Sequence, residues 1–246
     1  MNTKGNTVLI TGGSAGIGLA LAQTLQAAGN QVIITGRDAT RLEQAAAGTP
    51  GLIPMICDVT RDAQVKALVH TLQKDYPQLN MLINNAGRAH AYALSASAQA
   101  IDKAADEMLT NYLAILQLTE YLLPMLQRQP EAAIVNVSSI TALVPFVAVP
   151  TYAASKAALH SYTQSLRVSV APVRVFELMP PMVNTDFSRD IGGEKGIPPQ
   201  QVADGFMQAL ANDEYEIHIG QTRDVWQLLQ STSPAHALQA VNAGNR

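Results

Sequence analysis

A short apolar run, Thr7-Val8-Leu9-Ile10, passes without a break into Thr11-Gly12-Gly13-Ser14-Ala15-Gly16-Ile17-Gly18. Few folds accept such a join. A β-branched run of that length reads as a strand, and the glycines let the chain turn tightly and open a helix at once. The alternation recurs. Segments 31–35, 52–57, 81–83, 133–137, 173–176 and 215–219 read as further strands, and helical patterns fill 17–28, 39–47, 61–75, 99–127, 151–170 and 199–211. The strands are continuous apolar runs, which predicts a sheet covered on both faces, with parallel strands joined by right-handed crossovers. The expectation is a single doubly wound α/β domain of Rossmann type over 1–246. It has a mainly parallel seven-stranded sheet and helices on both faces. The tail, 221–246, carries helical patterns near 224–230 and after Pro234, and would cover the sheet edge or join a partner subunit.

Composition closes off other classes. At 48% hydrophobic and 14% charged, the chain can bury a large core and does not read as disordered. A net charge of −3 with no Lys/Arg run predicts neither a nucleic-acid nor a membrane partner. The apolar run after Lys4 ends at Thr11, too soon for a signal peptide. The uncharged stretch 132–155 is long enough to span a bilayer. It holds Asn136, Ser138, Ser139, Thr141, Pro145 and Pro150, however, and reads as a buried strand, a polar loop and a helix start. The lone Cys57 forbids an internal disulfide and reads as a small buried hydrophobe, so a cytoplasmic location is expected. His70, His90, His160, His218 and His236 show no metal-ligand spacing, and no metal is expected.

The glycine turn is the first candidate site. Its Gly-x-x-x-Gly-x-Gly spacing, between a strand and a helix, allows close approach of a pyrophosphate to free N–H groups at the helix start. Gly12, Ser14, Gly16, Ile17 and Gly18 form that cradle. The second strand ends Thr35-Gly36-Arg37-Asp38. Glycine stands where an acid would hold the adenosine ribose, and Arg37 can fork onto a 2′-phosphate, which favours NADP(H), with NAD(H) the alternative. Asp38 could accept the ribose hydroxyls, but a cap on the next helix is the favoured reading. Asp58 and Val59, after the third strand, fit an adenine-edge contact. Asn85, Ala86 and Gly87, after the fourth, bring small residues and backbone polar groups beside a nucleotide.

The second candidate site is Tyr152-Ala153-Ala154-Ser155-Lys156, with Ser139 thirteen residues upstream. Positions i and i+4 share a helix face, so the phenol and the ammonium can point into one site. A nearby cation favours the phenolate and would pull the tyrosine pKa down from about 10 toward general acid/base use.

In this order, Thr11-Gly12-x-x-x-Gly16-x-Gly18, Asn84-Asn85-Ala86-Gly87, Asn111, Ser139, Tyr152 and Lys156 resemble the short-chain dehydrogenase/reductase family over roughly residues 5–220. The resemblance implies an NAD(P)-dependent oxidoreductase acting on CH–OH groups, taking a small or lipophilic carbonyl or alcohol substrate. It implies four catalytic residues. Tyr152 would be the general acid/base, and Lys156 would depress its pKa and hold the nicotinamide ribose. Ser139 would bond the substrate oxygen, and Asn111 would hold a water that relays protons. Val183 and Thr185 match positions that hold the nicotinamide carboxamide. The family's usual Pro-Gly after the sixth strand is Pro180-Pro181 here, which reshapes the pocket wall. A homodimer or homotetramer is implied, with the helices near 99–127 and 151–170 packing across a two-fold axis. The alternative is a non-catalytic nucleotide sensor on the same fold. Arg88, His90, Ala142, Leu143, Pro145, Met182 and Asn184 are candidate pocket residues, and 187–198 reads as a mobile lid over the substrate, with a plain surface loop the alternative.

Overall fold

The structure, a computed structural model, describes residues 1–244. Seven strands form one sheet: β1 (Thr7–Thr11), β2 (Gln31–Gly36), β3 (Leu52–Ile56), β4 (Met81–Asn84), β5 (Ala133–Val137), β6 (Arg174–Met179) and β7 (Glu216–His218). The spatial order is β3-β2-β1-β4-β5-β6-β7, and every pairing is parallel. The chain winds outward from β1 in one direction and from β4 in the other. The carboxyl ends of β1 and β4 therefore diverge into a crevice where ligands bind in sheets of this kind.

Helices cover both faces. They are α1 (Gly16–Ala27), α2 (Ala39–Gly48), α3 (Asp62–Asp75), α4 (Ala100–Met108), α5 (Ala114–Leu126), α6 (Pro150–Ser169), α7 (Pro199–Ala211), α8 (Gln221–Ser231) and α9 (Pro234–Val241). Alternate strand residues face opposite layers. Val8, Ile10, Val32 and Ile34 pack with Leu21, Leu25, Phe206 and Leu210 on one face. On the other, Leu9, Ile33, Leu82 and Ile134 pack with Leu72, Leu118, Leu122 and Leu166. Each large side chain in these layers contributes roughly 1.5–3 kcal/mol through burial. Residues Gly18, Leu21, Ala22 and Leu25 give α1 its buried stripe, and Pro150 and Pro199 start α6 and α7 at a position that needs no N–H.

The strands fall where the apolar runs predict, within a residue or two at most ends, and both expected tail helices form. Cys57 is buried. The stretch 132–155 resolves into β5, a polar loop and the start of α6. The one long helix expected over 99–127 is instead two α segments joined by a π turn, Leu109–Leu113, with Asn111 at its centre. The added residue swings Asn111 toward the loop after β4, a distortion that commonly marks functional positions. Among the described residues, no helix is long and apolar enough to cross a membrane, and no cluster of His, Cys, Asp and Glu could hold a metal ion.

Candidate active site

The crevice opens into a cavity of about 420 Å³ that runs from the glycine turn to α6. At one end the chain leaves β1 through Gly12, whose φ of +66° requires glycine, and enters α1 at Gly16. No side chain caps α1 and no acid sits in its first turn, so its free N–H groups and positive dipole end face the cavity. The loop after β4 fastens this turn. Asn85 Nδ2 donates to the carbonyls of Thr11 and Gly12 at 2.9 and 3.1 Å, and the Asn85 and Ala86 N–H groups both donate to Thr11 Oγ1 at 3.0 Å. Backbone approaches backbone here. A Cβ on Gly18 would stand 2.3 Å from the Gly12 carbonyl oxygen.

At the other end, Ser139, Tyr152 and Lys156 line the same space. Ser139 follows β5 and accepts the Thr141 N–H on its Oγ at 3.1 Å, which leaves its own O–H free to donate. Lys156 is buried, and its Nζ donates to the Val137 carbonyl at 2.8 Å. Tyr152 packs against Phe187, ring centroids 5.9 Å apart. Burial governs both titrations. It pushes the Tyr152 phenol up to about 12, with the Ser139 hydroxyl opposing and the Glu107 carboxylate adding. It pushes the Lys156 ammonium down to about 8 against the pull of Glu177. The downward shift expected for Tyr152 from its i+4 cation does not appear: removal of the phenolate from water dominates, and the group that opposes it is Ser139, not Lys156.

Beneath the cavity lies a buried network that strand patterning does not reveal. Glu177, at no exposure in the middle of β6, accepts Ser138 Oγ at 2.5 Å and His160 Nδ1 at 2.8 Å. A lone carboxylate within the apolar run Val175 to Met179 was the available signal. The Glu177 hydrogen bond outweighs burial and holds the His160 pKa above its usual value.

Gly12, Ser14, Gly16, Ile17, Gly18, Asn85, Ala86, Gly87, Val183 and Thr185 all line the cavity. Four candidates stand outside it: Arg37, Asp58, Val59 and Asn111. Arg37 is exposed at the end of β2, close enough to Asp58 to act on its charge. Against the upward push of burial, hydrogen bonds from Thr60 and the Arg37 and Arg61 charges hold the Asp58 carboxyl below its usual range. Val59 is buried behind the glycine turn beside Thr11, Asn84 and Ala86. Asn111 is also fully buried. Its Oδ1 accepts the Arg88 N–H at 2.8 Å, and its Nδ2 donates to the Arg88 carbonyl and to Ser155 Oγ at 2.8 and 2.9 Å.

Besides Lys156, the basic residue that lines the cavity is Arg41, in the first turn of α2, with its Nη2 3.2 Å from Asp186 Oδ2. Its place in the first turn of the helix that follows β2 was the available signal. Asp38 caps α2, accepting the Arg41 N–H at 3.1 Å, as the cap reading expects.

On the substrate side the walls are Ala89, Ile140, Thr141, Phe146, Val149, Pro181, Met182, Phe187 and Ile191. Of the expected pocket residues only Met182 is among them. Arg88 and His90 turn away because Asp106 on α4 holds both at 2.7 Å. The segment expected as a lid is two short 3-10 turns, Asp186–Ile191 and Gly193–Lys195, and the first of them contributes Phe187 and Ile191 to the cavity.

The chain as a whole is similar to known proteins. The family model described as short chain dehydrogenase matches residues 6–196. An uncharacterized oxidoreductase, DltE, of Bacillus subtilis (strain 168) is 41% identical over 88% of this chain and 89% of that protein. A fatty acyl-CoA reductase of Acinetobacter baylyi is 30% identical over 91% and 80% respectively. A short chain dehydrogenase from Burkholderia cenocepacia, solved in complex with NADP, superposes with a TM-score of 0.85 at 28% identity, covering 98% of each chain.

Proposed function

This chain is an oxidoreductase that belongs to the short-chain dehydrogenase family, and on that premise we propose that it interconverts an uncharged, apolar carbonyl compound and its alcohol with NADP(H). The observation that carries the reading is one cavity, lined at one end by the glycine turn and at the other by Ser139, Tyr152 and Lys156. The residues fit a nicotinamide dinucleotide. Gly12 and Gly18 let the backbone close up around the turn, and the uncapped start of α1 offers N–H donors to a pyrophosphate. Val183 and Thr185 stand ready for the carboxamide and Lys156 for the ribose hydroxyls. When bound, the dinucleotide supplies or accepts the hydride.

The chain's own groups manage the oxygen and its proton. Ser139, its Oγ already accepting from Thr141, donates its O–H to the substrate oxygen and stabilises the negative charge that grows there. Tyr152 gives that oxygen its proton in reduction and takes it back in oxidation. A phenol near 12 makes the neutral acid the resting form, which suits reduction. Lys156, a buried cation, lowers the cost of the phenolate left behind. Asn111 retains one acceptor site on Oδ1 for a water between Lys156 and solvent, completing a proton relay. Arg41 and Arg37, at the far end, favour a 2′-phosphate over a free ribose diol. The apolar walls select against charged substrates.

We include in this proposal a homodimer or homotetramer in the cytoplasm. Exposed Ile101 on α4, exposed Leu109 and Leu113 on the π turn, and exposed Val168 on α6, favour association. The test is titration of the protein with NADPH and NADH, followed by an aldehyde and ketone panel. NADPH binding and turnover of an apolar carbonyl are expected. Tyr152→Phe should bind NADPH as before and lose turnover by about a hundredfold or more. Full activity in that variant would overturn the assignment.

A further inference from the structure

One wall of the cavity is the loop between β5 and α6, residues 138–149, which contributes Ile140, Thr141, Phe146 and Val149. Backbone loops of this length need their polar groups satisfied and their apolar side chains covered. Here the end of the chain supplies part of both, beside the bonds that the loop makes within itself and to Leu178, Pro180 and Tyr92. Behind the loop, Ile140 and Val144 form a third core cluster with Val225 of α8 and Ala237 of α9, joined by Leu143 and Phe146 from the loop. Just past α9 the Asn242 side chain is buried against the loop. Its Oδ1 accepts the Val147 N–H at 2.9 Å, and its Nδ2 donates to the Pro145 carbonyl at 3.0 Å and to the Leu238 carbonyl at 2.9 Å. One side chain thus binds the loop on both sides of Phe146 and ties it to α9. Among the described residues, none from 221 onward lines the cavity itself.

We propose that Asn242, with the α8–α9 pair behind it, is a positioning residue that sets substrate recognition by holding the Phe146–Val149 wall in place. This rests on the function proposed above. Phe146 and Val149 face the substrate end, while the nucleotide end is built from β1, α1 and the loop after β4, none of which Asn242 touches. Loosening the wall therefore blurs apolar substrate binding and leaves cofactor binding alone. Asn is suited to the task because it needs both an acceptor for Val147 and a donor for Pro145. Asp offers only the first.

Asn242→Ala and Asn242→Asp test this with two readouts. In hydrogen exchange, the segment 140–149 should exchange about tenfold faster in Asn242→Ala, as expected for loss of bonds worth roughly a factor of ten. The segment 11–18 should be unchanged. In kinetics with the best carbonyl of the panel, KM should rise roughly tenfold and preference for larger apolar substrates should narrow, with NADPH Kd and kcat nearly unchanged. Asn242→Asp should fall between wild type and Asn242→Ala. Unchanged exchange at 140–149, or a loss of NADPH affinity equal to the rise in KM, would overturn the proposal. Exchange needs no turnover, so a wild type inactive on every carbonyl would sink the proposed function and leave the clamp to be judged on exchange alone.

Discussion

The Lys156 ammonium donates to the carbonyl of Val137, the last residue of β5, at 2.8 Å. This bond pins the cation to the strand whose next two residues are Ser138 and Ser139. The bond ties α6 to the end of β5, so the three groups proposed to act on the substrate oxygen are held on joined backbone.

Keeping that cation buried has a stability cost that can be read from its pH dependence. With a native pKa near 8 against 10.5 when unfolded, Lys156 binds fewer protons folded than unfolded between those values. Stability therefore rises with pH in that window, and the cost is full below pH 8. Removing it by Lys156→Met should stabilise the protein at pH 7, by about 3 kcal/mol at most, while abolishing turnover. The gain should shrink between pH 8 and 10.5. Urea unfolding at several pH values checks it, and a gain that does not depend on pH would refute the account.

His160 gives the opposite slope. Glu177 raises its pKa above the unfolded 6.5, so its contribution is full below pH 6.5 and is lost as pH climbs through the raised value. The stability difference between wild type and His160→Gln should be largest near pH 6 and decline above it. Thermal unfolding across pH 5.5–9 measures this, and a flat difference contradicts the Glu177 pairing.

For coenzyme choice, Arg41→Ala should weaken NADPH binding about tenfold, as expected for one lost charge-assisted contact, and leave NADH little changed. Arg37→Ala should act in the same direction. Fluorescence titration decides. Tighter NADH than NADPH binding by the wild type would show that neither arginine meets a 2′-phosphate.

The glycine turn tolerates no side chain where backbones meet. Gly18→Ala places a methyl 2.3 Å from the Gly12 oxygen and 2.4 Å from Asn85 Nδ2. Overpacking of this kind costs roughly 1–3 kcal/mol. NADPH affinity should fall with it, because the turn that shifts is the proposed phosphate cradle. Gly48→Ala, in the last turn of α2 with open space around it, is the control and should be neutral or stabilising by roughly 0.4–1 kcal/mol. Equal behaviour of the two variants would argue against the close contact.

Much of this protein was legible before folding because the signals are short-range. A two-residue period or continuous apolar run makes a strand, a glycine-rich join makes a turn, and an i+4 pair shares a helix face, whatever surrounds them. The seven strands, the order of the helices, the Asp38 cap and the Tyr152–Lys156 pairing were all of this kind. What only the tertiary structure decided depends on residues far apart in sequence. Burial reverses the expected shift of Tyr152, Asp106 turns Arg88 and His90 from the cavity, Arg41 lines it where Arg37 does not, and Asn242 grips a loop 95 residues away. Charge and hydrogen bonding act through space and through the local dielectric, and neither is defined until the chain has closed upon itself.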